Sequence, residues 1–317
     1  MRIVVVNPAT SDSVADNVLT TLDAMGHEAM SDNLIAAMHS DAGTALRTLA
    51  QRVAPAGASL LAEFCSNRLI ATHAAVVISC TQDVHPLVLE NLKPHCTRVL
   101  LWDNDVRVDS ALSHWDIVYL SDRDLVTKLA ARGVDARHLH RAANPLWHRP
   151  VAEQFNHTLL LTGKFCGRRR ALMDRLHTSG ECVRAEAEHS HTWTSRAPWG
   201  SNAKLTRIDK SRAFGQSLAI VNCLSPLESG PLDARAFEAT AAGGLQLVEH
   251  HDSIAECFEP NRELLVWNSW DQLVEHIARA KREPGVMRAI RAAGSSRVFA
   301  NHTYRHRLER VLHDVEQ

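Results

Sequence analysis

Two stretches carry side chains of types and spacing suited to binding a phosphorylated ligand. The first is Gly163-Lys164-Phe165-Cys166-Gly167-Arg168-Arg169-Arg170, directly after the apolar run Thr158 to Leu161. Glycine freedom, a helix start and several cations together suit a phosphate. The stretch is neither a P-loop, because no G-K-[ST] stands at the required spacing, nor a G-x-G-x-x-G turn. Cations at a helix start also oppose the helix dipole and ask for a compensating partner. The second stretch, Pro231 to Val248, reads as a helix bearing Arg235 and Glu238 three residues apart, which ends at Gly243 and Gly244 and feeds an apolar strand. Arg235 offers bidentate donors to a phosphate, or it pairs with Glu238 one turn away. The two glycines are either a close-approach turn beside a ligand or a helix C-cap.

These residues need a rigid frame, and the sequence supplies βαβ grammar: short apolar, β-branched runs alternating with stretches of helical period. In the first half the strands are expected at Ile3 to Val6, Ala74 to Ser79, Val99 to Trp102, Ile117 to Leu120 and Arg137 to His140. Helices are expected at Asp12 to Met25, Ala42 to Val53, Pro86 to Leu92 and Arg123 to Arg132. The prolines of Asn144 to Pro150 break the rhythm. It restarts with strands at Thr158 to Leu161, Ala219 to Asn222, Leu245 to Val248 and Leu264 to Val266. The matching helices are Arg168 to Leu176, Ala234 to Ala242, Trp270 to Lys281, Pro284 to Phe299 and Tyr304 to Val315. Near-continuous apolar strands imply parallel sheets covered on both faces, an α/β fold of two Rossmann-like domains. Expected boundaries are 1–150, 151–303 and a terminal helix at 304–317 packing back on the first domain. Residues 185–212, rich in His, Trp, Ser and Arg, show little periodicity. Asp12, and Asp83 with His85, follow strand ends, where open sheets bind ligands.

Composition narrows the class. The 317 residues are 45% hydrophobic and 22% charged, and no stretch approaches the ~18 apolar residues of a membrane span. The start, Met1 to Pro8, lacks the long apolar region of a signal peptide, so a cytoplasmic protein is expected. Lys+Arg 35 against Asp+Glu 36 argues against a dedicated nucleic-acid binder. The balance is uneven: residues 1–66 hold three Arg against seven acids, whereas from Arg279 onward nine basic residues face four acids. The seven cysteines form no C-x-x-C pair, and none of the 19 histidines stands with ligand partners at a recurrent metal-site spacing, so no metal site is expected.

The stretch from Arg235 to Gly244 resembles the donor-site helix of the GT-B glycosyltransferases. The likeness continues through Phe258-Glu259-Pro260-Asn261-Arg262-Glu263-Leu264, then Asp271, Arg288 to Val298 and Asn301-His302-Thr303-Tyr304-Arg305-His306-Arg307. These segments look like the C-terminal half of the CgeB-type (spore-maturation-protein-like) glycosyltransferases, and Met25-Gly26-His27-Glu28 and Arg98 to Pro150 extend the resemblance. It implies a GT-B fold whose two domains face across a cleft, and transfer of a sugar from a nucleotide diphosphate sugar to a hydroxyl-bearing acceptor. Glu238 becomes the carboxylate that accepts hydrogen bonds from the ribose hydroxyls. Arg235, Gly163, Lys164, Arg168 and Arg169 become candidates for the diphosphate. Position 230, where the retaining pattern has a second Glu, is Gly here, so the backbone of Ser229 and Gly230 is the candidate for approach to the sugar or phosphate. Asp103-Asn104-Asp105 reads formally as the D-x-D metal motif of the GT-A glycosyltransferases, which would leave the second domain and the Glu238 helix unexplained. In the CgeB-type reading Asp103 or Asp105 is instead a general-base candidate, beside Asp12, Asp83 and His85. Cations and helix ends, rather than a metal, would stabilise the leaving diphosphate. The alternatives are a nucleotide-sugar-modifying enzyme of epimerase type and a non-catalytic nucleotide- or nucleic-acid-binding protein using Arg288 to Arg310. The acceptor itself could be a small molecule, a glycan, a protein or DNA.

Overall fold

The computed structural model describes residues 1–6, 11–32, 57–102, 110–151, 155–163, 167–186, 200–201, 205–223 and 232–317. The chain divides into two units, Met1–His140 with Tyr304–Gln317, and Arg141–Thr303. The division precedes Pro145 and Pro150 because that segment is tied to the second unit: Ala143 bridges Thr303, and Ser211 Oγ donates to the Trp147 carbonyl at 2.7 Å.

In the first unit the order is β1 (Arg2–Val6), α1 (Val14–Ala24), β2 (Glu28–Asp32), α2 (Gly57–Ile70), β3 (Val76–Ser79), α3 (Pro86–Leu92), β4 (Thr97–Leu101), a 3-10 turn (Ser110–His114), β5 (Ile117–Leu120), α4 (Arg123–Ala130) and β6 (Ala136–His138). The strands form one parallel sheet in the order β2-β1-β3-β4-β5-β6. Ile3, Val4, Val5 and Val6 are all buried, as a strand covered on both faces requires. The expected helix at Ala42 to Val53 lies outside the described residues.

In the second unit follow β7 (Leu159–Thr162), α5 (Gly167–Thr178), β8 (Val183–Glu186), β9 (Gly200–Ser201), α6 (Arg207–Gln216), β10 (Ala219–Asn222), α7 (Ala234–Ala241), β11 (Gln246–Glu249), α8 (Ile254–Cys257), β12 (Leu265–Trp267), α9 (Trp270–Arg282) and α10 (Pro284–Asn301). Their parallel sheet runs β12-β11-β10-β7-β8-β9. In both sheets the first strand of the unit sits inside and the chain leaves it in opposite directions, so the order reverses between β1 and β3 and between β7 and β10. Such a reversal opens a crevice at the carboxyl ends of the two strands, where ligands of open α/β sheets bind. Region 185–212, without visible periodicity in the sequence, contains β9 and the start of α6.

The last helix, α11 (Tyr304–Glu316), belongs to the first unit. Tyr119 Oη donates to Asp314 Oδ2 at 2.6 Å, Arg137 Nη1 lies 3.0 Å from the same oxygen, and Tyr304 meets Trp102 edge-to-face at 5.6 Å. Burial alone would push the Asp314 carboxyl up, but the hydrogen bonds from Tyr119 and Arg137 and the charges of Arg137 and Arg310 hold it below the usual carboxylate range. Among the described residues no helix is long and apolar enough to cross a membrane.

Candidate functional site

The reversal between β7 and β10 gathers the residues of both chemically suggestive stretches. β7 is a fully buried apolar strand that ends at Thr162 and passes into Gly163, whose φ of +106° an L side chain rarely adopts. A Cβ at Gly163 would lie 2.7 Å from Arg235 Nη2 and 3.7 Å from Arg169 Nη1. Two guanidinium groups therefore close on one backbone turn. Arg169, buried on α5, donates from Nε to the Cys223 carbonyl at 3.2 Å, just past the end of β10. Arg235 stands on the first turn of α7, whose N-cap Asp233 accepts from the Ala236 N–H at 3.0 Å. The Asp233 carboxylate also accepts from Asn222 Nδ2 at 3.2 Å and lies 3.1 Å from Arg235 Nη2. The ion pair of Arg235 with Asp233 is one that neither sequence alternative, a phosphate or Glu238, names. Burial pushes the Cys223 thiol up, Arg169 and Arg235 pull it the other way, and Glu249 adds to the rise. These groups surround the carboxyl end of β10.

One turn along α7, Glu238 is 7% exposed and its Oε2 lies 2.8 Å from Lys210 Nζ on α6, itself 6% exposed. Its Oε1 lies 3.9 Å from Nε2 of the buried His148. His148 Nδ1 accepts the Asn144 N–H at 3.0 Å, which places the proton of a neutral ring on Nε2. Lys210 and His148 were not singled out from the sequence. Lys210 lies in a stretch without apolar periodicity and His148 in a linker, and neither position carried a spacing signal.

The other expected residues separate. Arg168 pairs with Glu249 at the end of β11, and Arg170 with Asp174, which supplies the compensation that cations on the first turn of α5 require. Gly243 and Gly244 end α7 in a Schellman motif, with Gly243 N–H donating to Thr240 O and Gly244 N–H to Ala239 O. Gly243 has φ +75°, and a Cβ at Gly244 would meet Ile220 Cδ1 at 2.5 Å and Ala239 O at 2.9 Å. Helix termination and close packing account for both glycines. Asp12 follows β1 with φ +64°, and its N–H donates to Asp16 Oδ2 at 2.7 Å. Asp83 and His85 follow β3 at the same end of the first sheet. His85 is the N-cap of α3, its Nδ1 accepting the Leu87 N–H at 3.3 Å, so that nitrogen serves the helix. Lys164, Ser229, Gly230, Asp103 and Asp105 lie outside the described residues.

Residues 165–313 match the model of a family described as glycosyl transferase-like. No curated protein matches the chain. Among solved structures, a glycosyltransferase from Rickettsia africae is similar with a TM-score of 0.66 and 12% identity, covering 99% of this chain and 97% of that one. Sucrose-phosphate synthase from Thermosynechococcus elongatus gives 0.67 and 10%, covering 99% of each chain. HepE from Anabaena, in complex with UDP and glucose, gives 0.64 and 9%, covering 99% of this chain and all of the other. Residues 165–313 are thus glycosyl transferase-like, and the chain as a whole, with its two parallel α/β sheets, has the GT-B fold.

Proposed function

We propose that the protein transfers a sugar from a nucleotide diphosphate sugar to an acceptor hydroxyl, with the donor held by the second unit. The observation that carries this reading is the convergence of Arg169 and Arg235 on Gly163 at the carboxyl ends of β7 and β10. Guanidinium forks match the spacing of phosphate oxygens, and a glycine without a Cβ lets a diphosphate approach the backbone. Glu238, one turn away on the same helix, is then the acceptor for ribose hydroxyls. HepE, of the same fold, has been seen with UDP and with UDP-glucose, which supports a uridine nucleotide as the first donor to try. The order of the motifs from Arg235 to Arg307 supports the CgeB-type branch of these enzymes.

In the transfer, the acceptor oxygen attacks the anomeric carbon and the bond from that carbon to the diphosphate breaks. The acceptor proton passes to a carboxylate base, for which Asp12 and Asp83 are candidates at the strand ends of the first sheet. The departing diphosphate gains negative charge on its bridging oxygen. Arg169 and Arg235 offset that charge without a metal ion, as preorganised donors do. The test is calorimetry of UDP, GDP, ADP and CDP with the wild-type protein and Arg235→Ala, followed by product analysis with the matching nucleotide sugars. Binding of one nucleotide that Arg235→Ala weakens supports the assignment. Binding of none overturns it, and an epimerised nucleotide sugar as sole product would replace transfer by the epimerase alternative.

A further inference from the structure

Lys210 sits on a helix face that otherwise does the work of packing. Arg207 lies over the Trp147 ring at 4.8 Å, Ser211 donates to the Trp147 carbonyl, and Phe214, four residues after Lys210, is fully buried. Phe214 packs with Ala239 and Ala242 of the α7 segment, the same segment that presents Glu238. Arg291 Nη1 donates both to Gly215 O at the end of α6 and to Gly243 O beyond α7, which fixes the two helices against each other. An apolar residue at 210 would complete this contact. Instead the position holds an ammonium whose burial costs free energy, and a buried ion pair is seldom more stabilising than apolar residues of the same volume. What the pair does supply is orientation: Lys210 Nζ holds Oε2 at 2.8 Å, while Oε1 stays beyond hydrogen-bond reach of His148 Nε2, at 3.9 Å.

We propose that Lys210 is a positioning residue for Glu238, clamping one carboxylate oxygen so that the other is presented to the ribose hydroxyls of the donor. The proposal rests on the nucleotide-sugar reading of the site. It makes hydroxyl recognition, and not nucleotide binding in general, the property that depends on Lys210. A residue acting only through stability would weaken every nucleotide alike.

The test compares dissociation constants for a nucleoside diphosphate and its 2′,3′-dideoxy analogue, using whichever of UDP, GDP, ADP and CDP the wild-type protein binds. Wild type is expected to prefer the ribose form by about ten- to a hundredfold, the range of a charge-assisted hydrogen bond lost. In Lys210→Met that preference collapses while affinity for the dideoxy analogue holds, and Lys210→Arg restores most of it. Lys210→Gln is measured in the same way if Lys210→Met does not fold. If wild type shows the preference, Glu238→Gln loses it and Lys210→Met keeps it, the clamp is refuted and the ribose assignment stands. If wild type binds no nucleotide, or shows no preference, or Glu238→Gln changes nothing, the ribose assignment itself falls and the clamp with it.

Discussion

Replacing Gly163 by alanine perturbs the proposed donor site by one methyl group, and its effect can be worked out in two parts. The backbone there has φ +106°, and holding a residue with a Cβ in such a conformation costs about 1–3 kcal/mol. For a unit of this size that corresponds to a fall in Tm of about 2–4 °C per kcal/mol. The new Cβ would also stand 2.7 Å from Arg235 Nη2, and since that atom is the end of a flexible side chain, the guanidinium moves rather than the strand. A displaced guanidinium loses its bond to phosphate, worth about 1.5–3 kcal/mol, or about ten- to a hundredfold in donor affinity. Thermal melts and calorimetry with UDP separate the two parts. Arg235→Lys keeps the charge, loses the fork and should fall in the same affinity range without the backbone cost. A folded Gly163→Ala protein that binds UDP as tightly as wild type would refute the placing of the diphosphate at this turn.

Other perturbations test other parts of the molecule. Arg291 is buried and donates to the carbonyls of Gly215, Ser217, Leu218 and Gly243, and burial pushes its pKa down to about 10, which leaves it charged at neutral pH. Arg291→Met should cost about 3 kcal/mol or more, because several buried carbonyls lose a charged donor; a melting temperature within a degree of wild type would show that water replaces it. In the first unit, burial raises the Asp116 carboxyl, but hydrogen bonds from the side chain and backbone of Arg98, with the charges of Arg98 and Lys93, hold it net below the usual range. A carboxyl with a lower pKa folded than unfolded stabilises above about pH 4 and loses that effect as pH falls through its native value. Asp116→Asn should therefore melt earlier than wild type at pH 7, with the gap closing in acid, and a gap unchanged at pH 2 would assign the loss to packing. Transferase activity should persist in EDTA, whereas its loss and recovery with manganese would move the diphosphate to a metal held by Asp103 or Asp105.

Much of the frame was legible because buried parallel strands have to be apolar throughout. Ile3–Val6, Val76–Ser79, Val99–Leu101 and Leu159–Leu161 are such runs, and all are strands. β2, Glu-Ala-Met-Ser-Asp at the sheet edge, was missed because an edge strand half open to solvent need not be apolar. α6 was missed for a related reason. Its buried face includes Lys210, Ser211 and Gly215 beside Phe214, so the apolar period that would announce a helix is interrupted by the residues that meet Glu238 and Trp147. In the candidate site, residue type and order single out Gly163, Arg169 and Arg235, and the resemblance to the donor-site helix singles out Glu238; their roles are those proposed above. Asp233 and Asn222 were not legible, since a cap and the last residue of a strand become partners only through the β10 to α7 connection.

The pairing of Arg168 with Glu249 bears on how the protein responds to salt. Half of the Arg168 side chain is exposed, yet its counter-charge is built into the end of β11 and does not come from solution. A basic turn neutralised by its own sheet holds no condensed anion there for an incoming ligand to displace. Raising ionic strength screens such a fixed pair and the ligand's attraction to it together, so affinity for a diphosphate should depend on salt less steeply than the three consecutive arginines of the α5 start suggest. In the proposed donor site Arg235 is likewise paired, with Asp233, so the charge offered to a diphosphate beside Gly163 would rest chiefly on Arg169.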